Sequence, residues 1–178
     1  MRYNVQDLED QIIATLKADT TNFQGVLVDT YAGQINAQMF VKTELMQGFI
    51  RLLPFALVSY QGRTSGAKDT SSIHDLYIHT LRFRIFCGTQ STRSTKEAAR
   101  GAYQLLGAVY DDIHGHVPFS NPQKIPGITN ILSGPVITTT GFNPQSPLME
   151  AGGTDEGLII NIPKIVVYQT DFIIRLLA

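Results

Sequence analysis

With 178 residues, of which 43% are hydrophobic and only 16% charged, the chain has the length of one domain with a single core and carries few charges for its surface. A formal net charge of −1 gives no long-range field for gathering nucleic acid or an anionic bilayer, which leaves a local basic patch as the only electrostatic route to either. The single cysteine, Cys87, forms no internal disulfide, and the start from Met1 to Asp10 turns acidic where a secretory signal would become apolar, so the expected compartment is the cytoplasm.

Asn4 is a suitable N-cap for a helix over Val5 to Lys17, in which Val5, Leu8, Ile12, Ile13 and Leu16 fall along one face. Val26 to Tyr31 is short and rich in β-formers, and Met39 to Leu53 has the composition of a second helix running up to Pro54. Phe55 to Tyr60 predicts a buried strand. The polar Gly/Ser/Thr stretch Gln61 to Ser72 predicts an exposed loop after it.

Asp75 to Cys87 predicts a strand, because Leu81, Phe83, Ile85 and Cys87 alternate with Thr80, Arg82, Arg84 and Phe86, one face buried and the other carrying cations. Ser94-Thr-Lys-Glu97 fits a capping box, and Ala99, Ala102, Tyr103, Leu106, Val109, Tyr110 and Ile113 keep helical spacing up to a stop at Gly115. From Gly115 to Gly157 lie six of the eight prolines and seven glycines, which predicts a long loop or arm with a short strand near Val136 to Thr140. Ile125 to Met149 is uncharged and long enough to cross a membrane, but its prolines, glycines and hydroxyl residues exclude a transmembrane helix. Leu158 to Leu177 is expected as one long strand paired with the Asp75 to Cys87 strand. The expected fold is α+β: a mostly antiparallel mixed sheet packed by about three helices, forming a single domain over 1–178 with the arm at 115–157.

Residues able to do chemistry are thinly spread. His114 and His116 are the nearest approach to a metal pair, yet they need a further ligand and only Asp111 and Asp112 are near in sequence, so polar residues at a helix end are the better account. His79 and Cys87 share a strand face but lie roughly 26 Å apart, too far for a nucleophile and its base. Ser65 lacks the Gly-x-Ser-x-Gly spacing of a hydrolase elbow, and Ala151 to Gly157 lacks the lysine of a phosphate loop. Asp111 and Asp112 are adjacent and so point to different helix faces. No catalytic residue, metal site or cofactor is therefore assigned, and the chain is expected not to be an enzyme.

Arg82, Arg84, Arg93, Lys96 and Arg100 are the one local excess of positive charge. Charges of this kind ordinarily keep a surface in water. The sharper reading is a contact surface for an acidic partner or for nucleic acid.

The segments Leu8-Glu-Asp-Gln-Ile-Ile-Ala-Thr-Leu16, Val28-Asp-Thr-Tyr-Ala-Gly33, Leu52-Leu-Pro-Phe-Ala-Leu-Val-Ser-Tyr60, Phe83-Arg-Ile-Phe86, Gly101-Ala-Tyr-Gln-Leu-Leu-Gly107 and His114-Gly115 occur in this order. Together they resemble a family of Mu-type phage proteins of unknown function encoded among the tail genes, whose members are similar to phage tail-terminator proteins. The resemblance implies a structural virion protein of a contractile-tailed phage, a tail terminator or neck ring, commonly a hexamer, that caps the tail tube or sheath. The implied partners are further copies of the chain, tail tube and sheath proteins and the head-tail connector, with DNA passing through the ring and no membrane. It implies no catalytic residue. The rival expectations are a baseplate- or sheath-associated protein, a small hydrolase or metal enzyme using His114 and His116, and a nucleic-acid module centred on Arg82 and Arg84.

Overall fold

In the computed structural model, which describes residues 4–69, 76–114, 137–138 and 157–177, the chain begins with helix α1, Val5–Ala18. The Asn4 side chain accepts the Gln6 N–H at 3.1 Å and so caps the helix as expected. A helix of 14 residues is marginal in water. Packing holds this one: Leu8, Ile12 and Leu16 are fully buried, each worth about 1.5–3 kcal/mol. Asp19 ends the helix and accepts the backbone N–H groups of Thr21 and Asn22, which turns the chain towards strand β1, Leu27–Thr30.

The expected helix over Met39 to Leu53 is two pieces, a 3-10 turn at Ala37–Phe40 and α2, Thr43–Leu52. Lys42 sits between them in extended conformation, which interrupts the hydrogen-bond ladder. Strand β2 is Phe55–Asp69, so the stretch expected as a loop from Gln61 is strand as far as Asp69, and residues 70–72 lie outside the described residues. Its neighbour β3, Leu76–Gln90, is equally long and pairs with it from Phe55 opposite Gly88 to Asp69 opposite Leu76. Backbone pairing along β3 satisfies the polar stretch without demanding apolar side chains. The ladder slips between Tyr60 and Gly62 and again between Ser65 and Lys68, and Gly62 takes a φ of +125° that side chains disfavour.

Helix α3, Thr95–Ile113, follows. Ser94 Oγ accepts the Glu97 N–H at 3.2 Å, one half of the capping box. The Glu97 carboxylate accepts from Ser91 Oγ at 2.8 Å instead of returning to Ser94. Among the residues expected on its inner stripe, Ala102, Leu106, Val109 and Ile113 are buried, whereas Tyr103 and Tyr110 are exposed. Their places are taken by Ala98, Leu105 and Ala108. The helix ends at Ile113 with His114 as its C-cap, and the expected stop, Gly115, lies outside the described residues.

Of the 115–157 arm, the described residues are Ile137–Thr138, which form a two-residue strand β4 where a short strand was expected, and Gly157. The expected single strand from Leu158 to Leu177 is a hairpin of β5, Gly157–Ile162, and β6, Ile165–Leu177, joined at Pro163 and Lys164. Lys164 adopts the left-handed φ of 68° that this reversal requires. The pairing of β6 with β3 is as expected and runs antiparallel through thirteen register pairs from Ile78 opposite Leu177 to Gln90 opposite Ile165.

The sheet runs β1-β2-β3-β6-β4, with β5 also beside β6; among the described strands β1 and β2 pair parallel and the other pairs are antiparallel. One face, with Ala56, Val58, Phe83, Ile85, Cys87, Phe172 and Ile174, packs against α1 and α3. The opposite face carries Phe55, Leu57, Phe86 and Val167 and packs against Met39, Phe49 and Leu53 of the 3-10 turn and α2 region. Phe86 is therefore buried although it alternates with the buried series of β3. The chain is an α+β protein with a mixed, mostly antiparallel sheet covered by helices on both sides.

Candidate interaction surface

The five cations of the basic cluster do not form one surface. Arg82 and Arg84 alternate with Leu81, Phe83 and Ile85 on β3, so they stand on the face of the sheet turned away from α1 and α3. Lys96 and Arg100 lie in the first turns of α3, on the other side, and Arg93 just before its N-cap Ser94. The sheet separates the two groups.

Arg84 is committed inside the molecule. Its register partner on β6 is Asp171, which it grips as a fork, Nε to Oδ1 at 2.6 Å and Nη2 to Oδ2 at 2.9 Å. Asp171 is 1% exposed, and Arg82 Nη1 reaches its Oδ2 at 3.9 Å. One buried carboxylate thus collects two arginines. This removes much of the charge that Arg82 and Arg84 would offer an acidic partner or nucleic acid. Arg93 reaches Glu97 at 3.8 Å, an exposed pair of little energetic consequence. Lys96 and Arg100 remain exposed on α3.

Cys87 is fully buried on the apolar face, and burial pushes its thiol up to about 12, so it carries no thiolate at neutral pH. His114 stacks on Tyr110 with ring centroids 4.8 Å apart and planes 11° from parallel, which employs it in packing at the helix end. His116 lies outside the described residues, as do residues 151–156 of the glycine-rich cluster, and Ser65 is a strand residue of β2. Among the described residues, no group of three His, Cys, Asp or Glu side chains is placed to hold a metal ion. No helix among them is long and apolar enough to cross a membrane; Ile125 to Met149 falls on the undescribed part except for Ile137 and Thr138.

Two features escaped the sequence reading. Asp112 faces Asp19 across the ends of α3 and α1: burial first, then the charges of Asp19 and Asp111, push the Asp112 carboxyl above the usual carboxylate range. The Asn22 side chain, donating to Asp19 at 2.6 Å, is the main cause holding Asp19 below that range. The second feature is apolar surface. Phe40, Val41 and Leu45 are 54%, 84% and 40% exposed on the link between the 3-10 turn and α2. On the far side of the sheet, Tyr103 and Tyr110 are 54% and 39% exposed on α3. The signal for the first patch is Phe40-Val-Lys-Thr-Glu-Leu45 itself, where the break at Lys42 turns the apolar side chains away from the core that Met39 enters.

No model of a known protein family matches the chain, and no curated protein matches it.

Proposed function

We propose that the chain is a structural protein of a contractile-tailed phage particle, in which copies close into a ring that terminates the tail or forms part of the neck. The observation that carries this reading is the patch of Phe40, Val41 and Leu45. Single exposed apolar residues are ordinary, but three large ones within six residues, where the 3-10 turn meets α2, concentrate apolar surface in the way that favours a protein contact. A contact of this patch with a different surface of the next copy is head-to-tail, and head-to-tail contacts generate rings when the rotation closes.

The motif order supports the same reading. The segments that carry the resemblance to tail-terminator-like proteins fall on α1, β1, β2, β3 and α3, so the resemblance concerns the sheet and its helices. In mechanism, such a ring halts stacking of tube or sheath subunits by presenting them with a surface unlike their own. Its partners in this reading are further copies, the tube and sheath proteins and the connector, with DNA passing through the opening. No chemical step is assigned.

Particles carrying a tagged copy of the chain test the reading. A label confined to the head-proximal end of the tail is the expected result. A label at the baseplate end, or particles that lack the chain, would overturn it.

A further inference from the structure

We infer that α3 pairs antiparallel with α3 of a second copy of this chain, the two helices crossing at Gly107. This contact is independent of the ring: it has a two-fold axis and joins one subunit, or one ring, to another.

The exposed side of α3 carries Arg100, Tyr103, Gly107 and Tyr110 at alternating spacings of three and four residues, and the half-buried C-cap His114 follows four residues on. That spacing keeps a seam on one side of a helix and is how helices present themselves to one another. At its centre, a Cβ added to Gly107 would meet nothing within 4 Å. The seam therefore has a notch where a second backbone can approach closely.

The tyrosines on either side are already held. Tyr103 Oη and Tyr168 Oη are 2.9 Å apart with ring centroids at 5.1 Å, and Tyr110 stacks on His114. Fixed aromatic side chains lose little freedom when a partner covers them, which is what makes tyrosine and arginine effective at the centre of an interface.

Charge selects the occupant and its direction. Along the exposed face, Lys96 and Arg100 sit towards the N-terminal end, where Glu97 is taken up by Arg93 and Ser91, and Asp111 sits towards the C-terminal end. Arg100 lies seven residues before Gly107 and Asp111 four after it, about 10 Å and 6 Å along the axis. An antiparallel copy crossing at Gly107 brings its own Asp111 beside Arg100 and Tyr103, twice over by symmetry. A parallel copy would set like charges together. Either hydroxyl can be the donor between Tyr103 and Tyr168; a carboxylate beside Tyr103 selects the arrangement in which Tyr168 donates to Tyr103 and the Tyr103 O–H donates to the second copy's Asp111. Antiparallel helix dipoles favour the same direction.

Sedimentation velocity and native mass spectrometry of the full chain test this with Arg100→Asp and Asp111→Arg. Each variant alone sets like charges across both halves of the crossing, and each is expected to weaken pairing about tenfold or more and to halve the particle mass. Mixed in equal amounts, the two variants restore opposite charges at both contacts, and the doubled mass is expected to return. Gly107→Gln is expected to halve the mass as well while leaving the thermal midpoint at or above that of the unpaired Arg100→Asp, since it replaces a helical glycine whose Cβ would enter open space. Single variants with wild-type mass, a mixture that stays unpaired, or an unimpaired Gly107→Gln would each overturn the inference. The ring stands or falls separately, on whether the halved particle is itself a ring or one subunit.

Discussion

Arg84 on β3 and Asp171 on β6 are register partners that share two hydrogen bonds, 2.6 and 2.9 Å, with the carboxylate 1% exposed. Removing one member of a buried pair strands the other, at a cost of about 3–5 kcal/mol. Arg84→Met is expected to fall in the lower part of that range, because Arg82 stays 3.9 Å from Asp171. Replacing both members, Arg84→Met with Asp171→Leu, is expected to recover most of the loss. Urea unfolding of the two singles and the double measures the coupling; additive losses would contradict the pair.

Gly88 lies under the ring of Phe55, its register partner on β2. A Cβ at Gly88 would stand 2.5 Å from Phe55 Cζ and 2.8 Å from both Cε atoms. Gly88→Ala is therefore expected to cost about 1–3 kcal/mol, and Phe55→Leu in the same chain to relieve part of the clash at the expense of its own lost packing. The readout is the midpoint of denaturant unfolding, and a neutral Gly88→Ala would show that the ring shifts freely.

The Cys87 thiol, pushed up to about 12 by burial, is expected to resist alkylation in the folded chain. At pH 8 the buried thiol stays protonated, and the sheet and helices exclude the reagent besides. Mass spectrometry after iodoacetamide treatment should find labelling only once urea unfolds the protein. Rapid labelling of the native state would place Cys87 at the surface.

Asp112, raised chiefly by burial and then by the charges of Asp19 and Asp111, gives stability of the opposite sign to an ordinary paired carboxylate. Its contribution is fully present below the unfolded value near 3.8 and is lost as pH rises through the higher folded value, where the folded chain must surrender the proton. Asp112→Asn is thus expected to flatten the pH dependence just above 3.8 and to leave the protein no less stable at neutral pH. Thermal melts from acid to neutral pH check both. A variant destabilised at pH 7 with an unchanged slope would show that Asp112 acts as a charged partner instead.

What the sequence made legible follows from how local the causes are. Asn4, the Ser94 to Glu97 signature and the 81–87 alternation depend on neighbours a few residues away, and α1, α3 and β3 form where they indicate. The strand over Gln61 to Asp69 was hidden because its cause is non-local: β3 supplies the pairing that polar side chains do not advertise. The hairpin at Pro163 was legible in principle, since a proline inside an apparent central strand argues against that strand. Phe40 and Val41 were hidden in a helical pattern that the structure breaks at Lys42. The arginines are a local excess of charge in the sequence, but the partner of Arg84 is 87 residues away, and the register of β3 on β6 brings Asp171 beside it.

Electron microscopy of the purified full chain, alongside Val41→Asp, tests the proposed ring most directly. Closed rings with a central opening for the wild type, dispersed by a charge in the exposed apolar patch, are the predicted result. Wild-type protein that stays as single subunits at every concentration, or rings that Val41→Asp leaves intact, would contradict the account.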